Sequence, residues 1–251
     1  MLDIQSLDNP LIKQIVKLVN TSSYRKSEKK CVIYGLHLIE EAYKYGFLES
    51  ILVDEAHNYK DLPKDVSIYK VSPKVLAKIN LLEGKYDIVG VANFKTSNND
   101  IYNEDCIVLD NVQDPGNLGT IIRSAKASGI NNIVLTNGCV DSYNPKVLRS
   151  SQGAVFGVNI IDIDDITNFI KRFKGSIIAT VPDAKNSLYD IDLRSTTAFV
   201  FGNEGSGISS NILNMIDTKV NIPMQNNTES INVAMAMAVC VFEQLRQRLN
   251  K

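Results

Sequence analysis

Histidine and cysteine are scarce in this chain: its 251 residues hold two of the first and four of the second. Cys31, Cys106, Cys139 and Cys240 are scattered, with no CxxC pair. A zinc site or a disulfide framework is therefore not expected, and reduced thiols are the simple reading. Long apolar runs are missing too. None approaches the ~18 residues of a membrane span. The opening MLDIQSLDNP lacks the charged-then-apolar order of a secretion signal. There is no internal repeat and no low-complexity tract. These absences leave an ordinary globular protein, expected in the cytoplasm, with neither a metal nor a membrane as partner.

Charge of one sign is also lacking, since the net charge is −1. Its distribution says more. Residues 1–95 hold 14 Lys and Arg against 12 Asp and Glu, whereas 96–251 hold 13 against 16. Between Lys13 and Lys30 stand Lys13, Lys17, Arg25, Lys26, Lys29 and Lys30, opposed only by Glu28. Such a run suits a phosphate backbone, with Arg25 a candidate contact, and it equally suits a solvated helix face.

What is there reads as alternating strands and helices. NPLIKQIVKLV has helical spacing, with Asn9 as cap and Pro10 at the first helical position. CVIYG, ESILVD, VSIYKV and YDIVGVANF read as strands, LHLIEEAYKYG and SPKVLAKIN as helices. The polar stretch KTSNNDIYNED then suits a linker. The division expected is a small α/β domain over 1–95, a linker over 96–104 and a second α/β domain over 105–251. In the latter DCIVLDNV, NNIVLT, VFGVNII, SIIATV, TAFVFG and TKVNIP read as strands, and helices lie between them. Short, doubly apolar strands joined by helices predict a mostly parallel sheet covered on both faces. Ligands of such sheets bind beyond the carboxyl ends of the strands. That directs attention to the turns DNVQDPGN, ATVPDA, FGNEGSG and IPMQNNTES.

Three stretches carry chemistry. FGNEGSGI places three glycines around Glu204 after an apolar strand. A phosphate loop would need a Gly-Lys-Ser/Thr ending, but Ile208 follows Gly207, and the dinucleotide pattern would need glycine at Ser210. A carboxylate in the turn argues further against phosphate. In NVQDPGNLGTIIRSAKASG, Leu118, Ile121, Ile122 and Ala125 form the buried stripe of a helix. Asn117 stands at its entrance, where a cap is the simple alternative. Arg123 is about 120° away around the axis. In NIPMQNNTESINVAMAMAVC, Ser230 and Asn232 are polar residues at the mouth of an apolar helix, whose Met235 and Met237 read as core. If both serve one ligand, the chain is unwound at Ser230.

Together these stretches resemble the three motifs of the SpoU (TrmH-like) RNA ribose 2′-O-methyltransferases of the SPOUT superfamily. Asn117 and Arg123 fit N-x-G-x-x-x-R-[ST]-A, Glu204 fits F-G-x-E-G-x-G-[IM], and Ser230 and Asn232 fit I-P-M-x4-E-S-[IL]-N-V. The likeness spans 105–248. The N-terminal segment is similar to the family's small L30e-like substrate-binding domain, although Tyr34-Gly35 stands where the family usually has Glu-Gly. The resemblance implies a trefoil-knotted C-terminal fold, a homodimer and S-adenosylmethionine as methyl donor. Backbone around Thr180, Gly202, Ile222, Met224 and Ile231 would then surround the adenosyl group. A sulfonium donor bears no phosphate, so Glu204 would be free to hold the Arg123 guanidinium.

By the same resemblance the reaction is in-line attack of an RNA ribose 2′-oxygen on the donor methyl, governed by positioning. Arginine stays protonated in proteins, so Arg123 would stabilise developing alkoxide and orient RNA phosphate, the proton leaving through that phosphate or water. Asn117, Ser230 and Asn232 would align hydroxyl and methyl. The expected substrate is 23S ribosomal RNA. Transfer RNA is the alternative substrate, and a catalytically silent RNA-binding or ribosome-assembly protein is the alternative class. A nucleotide-cofactor α/β enzyme lacks the lysine and the third glycine it would need.

Overall fold

The computed structural model describes residues 2–57, 59, 61–80, 85–226 and 228–250. The chain forms two compact units: Met1–Thr96 with Asp141–Gly157, and Ser97–Val140 with Val158–Lys251.

The first unit runs β1 (Leu2–Ile4), α1 (Pro10–Asn20), α2 (Ser22–Glu28), β2 (Lys30–Tyr34), α3 (Leu36–Lys44), β3 (Leu48–Asp54), β4 (Ser67–Val71), α4 (Pro73–Ile79) and β5 (Ile88–Asn93). Its sheet has the order β1-β4-β3-β5-β2. Pairing is parallel at β1/β4 and β3/β4, and antiparallel where β5 joins β3 and β2. The Asn9 side chain accepts the Leu11 N–H at 2.9 Å, so α1 starts where its cap and proline predict. Ile12, Ile15, Leu18 and Val19 then face a core shared with Val32, Leu52, Val89 and Val91.

Here the expectation for Arg25 fails. It is 3% exposed, inside the first unit rather than on its surface. Its Nε and Nη2 donate to Asp141 Oδ2 at 2.8 and 2.7 Å. Nη1 donates to the carbonyls of Leu18 and Val19 at 2.7 and 3.0 Å, acceptors left open at the end of α1. Ser22 Oγ donates to the same Asp141 oxygen at 2.8 Å. A guanidinium so engaged has nothing to offer RNA.

The second unit begins with β6 (Cys106–Leu109), α5 (Pro115–Ser128) and β7 (Asn132–Thr136). The chain then returns to the first unit for α6 (Pro145–Ser150) and a 3-10 turn at Ala154–Gly157. It resumes the second with β8 (Asn159–Ile163), α7 (Ile166–Arg172), β9 (Ser176–Thr180), β10 (Asn186–Ser187), β11 (Thr197–Phe201), α8 (Ser210–Leu213), β12 (Thr218–Asn221) and α9 (Val233–Leu249). The run VFGVNII is thus divided between a turn and a strand, because a buried helical turn and a buried strand share one apolar signature. The stretch read as a linker is tied down within the second unit. Ser97 Oγ donates to the Ile160 carbonyl at 2.6 Å, and Asn98 and Asn159 exchange bonds of 2.9 and 2.8 Å.

Seven strands form one sheet, β10-β12-β9-β11-β6-β7-β8, with every pairing parallel. β6 and β11 are buried at each position, as a sheet covered on both faces requires. Far along α9, Arg248 grips Asp105 at the start of β6 through Nη1 and Nη2 and donates to the Ser195 carbonyl at 2.8 Å.

Candidate active site

Three neighbouring strands of this sheet, β12, β9 and β11, end at Asn221, Thr180 and Phe201. Beyond those carboxyl ends lies a pocket of about 470 Å³. Thr180, Gly202, Glu204, Ile222, Met224, Ser230, Ile231 and Asn232 all line it. Position in a parallel sheet accounts for this convergence: each turn leaves the same edge. Of the turn 222–230, Asn227 lies outside the described residues.

The glycine turn has its own construction. Asn203 and Gly207 pair across it, their N–H groups donating to each other's carbonyls at 3.0 and 2.9 Å. Gly207 has φ +70°, and a Cβ on Gly202 would strike the backbone of Gly207 and Ile208. Both therefore need to be glycine. The Asn203 side chain accepts the Gly205 and Ser206 N–H groups at 2.9 and 3.1 Å and donates to the Asn111 carbonyl at 2.9 Å. Asp110, 6% exposed, accepts the Ser209 N–H at 2.7 Å. Neither Asn203 nor Asp110 is among the residues singled out from sequence. An Asn two positions before a glycine is an Asx-turn signal that points to the first; Asp110 has no such local sign.

At α5, Asp114 is the cap, accepting the Asn117 N–H at 2.8 Å, with Pro115 at the first position. The Asn117 side chain is thereby spared. It donates through Nδ2 to Glu204 Oε1 at 2.8 Å and accepts at Oδ1 from Asn232 Nδ2, also at 2.8 Å. Asn232 is the cap of α9, its Oδ1 accepting the N–H groups of Ala234 and Met235 at 2.9 and 3.3 Å. Ser230 accordingly precedes the helix, in unwound chain.

Arg123 stands apart from this group. The expected Arg123–Glu204 pair is absent: Arg123 is exposed, and among the described residues its side chain makes no hydrogen bond or ion pair. Helical rise explains why. Once Asn117 meets Glu204, a residue six positions on lies about 9 Å further along the axis. Met235 also departs from expectation, being 58% exposed while Met237 is fully buried.

The pocket's chemistry is selective. Its lining contains one carboxylate and neither Lys, Arg nor His. That suits a cationic, apolar-bodied ligand and disfavours phosphate. Close by, Thr180 Oγ1 lies 3.8 Å from Cys240 Sγ, whose burial pushes the thiol up to about 12. It packs as an inert small hydrophobe.

The solved structures on which this fold superposes are methyltransferases of the SPOUT type, and that is the class of the domain. The family model of the SpoU rRNA methylase family matches residues 105–242, and that of the MRM3-like substrate binding domain matches 9–88. The chain belongs to the SpoU rRNA methylase family. It is 34% identical to an uncharacterized tRNA/rRNA methyltransferase of Synechocystis, over 98% of this chain and 94% of that one. It is 31% identical to the 23S rRNA (guanosine(2553)-2′-O)-methyltransferase RlmP of Bacillus subtilis, over 96% and 98%. Among solved structures, an RNA 2′-O ribose methyltransferase superposes with a TM-score of 0.82 at 30% identity, covering 99% of this chain and 100% of that one. An AdoMet-bound rRNA methyltransferase from Sinorhizobium meliloti gives 0.84 at 26%, covering 97% of each.

Proposed function

We propose that this protein methylates a ribose 2′-hydroxyl of 23S ribosomal RNA in the cytoplasm, with S-adenosylmethionine as donor. The observation that carries the reading is the pocket at the ends of β9, β11 and β12, lined by a single carboxylate and no cation. The donor supplies a methyl group activated by a sulfonium. Thr180, Gly202, Ile222, Met224 and Ile231 would hold its adenosyl portion. Glu204 offsets the positive charge, and the Asn117–Asn232 pair keeps that carboxylate in place. Ser230 and Asn232 align the incoming hydroxyl. Arg123, free of partners among the described residues, is available to RNA phosphate or developing alkoxide. The relatives' names support ribosomal RNA as substrate.

A homodimer belongs to the same proposal. Met235, Phe242 and Leu249 recur every seven residues on α9 and are 58, 45 and 74% exposed, an apolar stripe suited to a second copy. No helix among the described residues is long and apolar enough to cross a membrane.

Calorimetry with S-adenosylmethionine, then mass-spectrometric mapping of 2′-O-methyl groups in RNA with and without the gene, tests the assignment. Micromolar binding and one missing methyl in large-subunit RNA are expected. A missing methyl in transfer RNA instead overturns the substrate, and absence of donor binding overturns the function. Near-normal turnover by Arg123→Lys would remove the guanidinium from the mechanism.

A further inference from the structure

A hydroxyl that takes up a methyl must release its proton, so the site needs an acceptor. Arginine only donates. Neither histidine, His37 or His57, lines the pocket. Asp114 caps α5, and Asp110 is buried against the Ser209 N–H; neither lines the pocket. Among the lining residues only Glu204 carries a carboxylate, the one acidic side chain there that can accept a proton.

The hydrogen bonds around Glu204 run in one direction, and the backbone sets it. Two N–H groups at the start of α9 point at Asn232, so its Oδ1 must face them. Its Nδ2 then faces Asn117 Oδ1, which leaves Asn117 Nδ2 for Glu204 Oε1. The chain ends on Oε1, an oxygen that must accept. Oε2 is only weakly engaged. Its contact is Asn203 Nδ2 at 3.4 Å, a group already committed to the Asn111 carbonyl at 2.9 Å.

We propose that Glu204 Oε2 is the base that takes the proton of the RNA 2′-hydroxyl, while Asn117 and Asn232 hold Oε1 and aim the free oxygen. The inference rests on the methyl-transfer reading above. The 2′-oxygen gains the methyl carbon as the carbon–sulfur bond breaks with its pair kept on sulfur, and the O–H proton passes to Oε2. The products are a thioether and a carboxylic acid, so a cation and an anion vanish together without separating charge in the site. Glu204 is exposed, so the proton then escapes to water.

The test is Glu204→Gln, which keeps length and the Oε1 acceptor for Asn117 but removes proton capacity. Wild-type transfer to RNA is measured first; its absence overturns the function as a whole. Given that activity, the variant should keep its melting temperature and lose at least a hundredfold in single-turnover rate. The wild-type rate should fall as the medium is made acidic, a limb the variant lacks. Calorimetry supplies an independent reading: the wild type should prefer S-adenosylmethionine over its demethylated thioether, and the variant should lose that preference. A variant within threefold of wild type, or one slowed with its acidic limb intact, overturns the base and leaves the function standing. If the glutamine variant does not fold, Glu204→Asp decides. A slower rate with a displaced acidic limb supports the base, and an unchanged rate overturns it.

Discussion

Asn232 serves two tasks with the two ends of one amide, and substitution can separate them. Asn232→Ala removes the acceptor for the Ala234 and Met235 N–H groups and also the donor to Asn117. Loss of a helix cap costs about 1 kcal/mol, which in a chain of this length lowers Tm by about 2–4 °C. Asn232→Asp keeps the acceptor and adds a negative charge at the positive end of α9, worth about 0.3–1 kcal/mol. It also sets oxygen against Asn117 Oδ1. If Asn117 turns its amide over, its oxygen meets Glu204 instead, so one clash persists whichever way the amide lies. The bond lost to Glu204 is of the charged kind, worth about 1.5–3 kcal/mol, or roughly ten- to hundredfold in methyl transfer. Melting temperature and transfer of labelled methyl to RNA, measured on both variants, should therefore diverge: Ala lowers both, Asp leaves Tm within about 2 °C and lowers only transfer. An Asp variant with full activity, or one melting below the Ala variant, would refute the relay.

Two more outcomes follow from packing. Arg25→Met strands the Asp141 carboxylate inside the first unit, and breaking a buried pair costs about 3–5 kcal/mol. A drop of roughly 10 °C in the first melting transition is expected; weakened RNA binding at unchanged Tm would restore Arg25 to the surface role that the sequence suggests. Gly202→Ala forces a methyl into the Gly207–Ile208 backbone, so calorimetry should show donor affinity down at least tenfold. Gly205→Ala, whose nearest neighbour would be Asn203 Oδ1 at 3.6 Å, is the control expected to bind normally. Equal behaviour of the two variants would show that the close approach does not matter.

Local pattern carried much of the architecture. Asn9-Pro10 starts α1 as written, and Leu118, Ile121, Ile122 and Ala125 are all fully buried. The pocket residues converge because each follows a parallel strand, which chain order and apolar runs already imply. What stayed illegible depends on residues far away in sequence. SSYRKSE has too few apolar positions to declare itself a helix, and the burial of Arg25 depends on Asp141, 116 positions later. That Asp114 rather than Asn117 caps α5 could not be told from composition, since either residue type caps well. The missing Arg123–Glu204 contact has the same origin: angular position around a helix can be read from spacing, but which turn of that helix meets another loop cannot.

The helix α9 is secured at both ends, by the Asn232 cap beside the pocket and by the grip of Arg248 on Asp105. Between them its seventeen residues act as a ruler. Inserting or deleting one residue would advance the far end about 1.5 Å and swing it about 100°, so no single change of length can satisfy both anchors. Drift in this family member should accumulate as substitution along α9, while its residue count stays frozen.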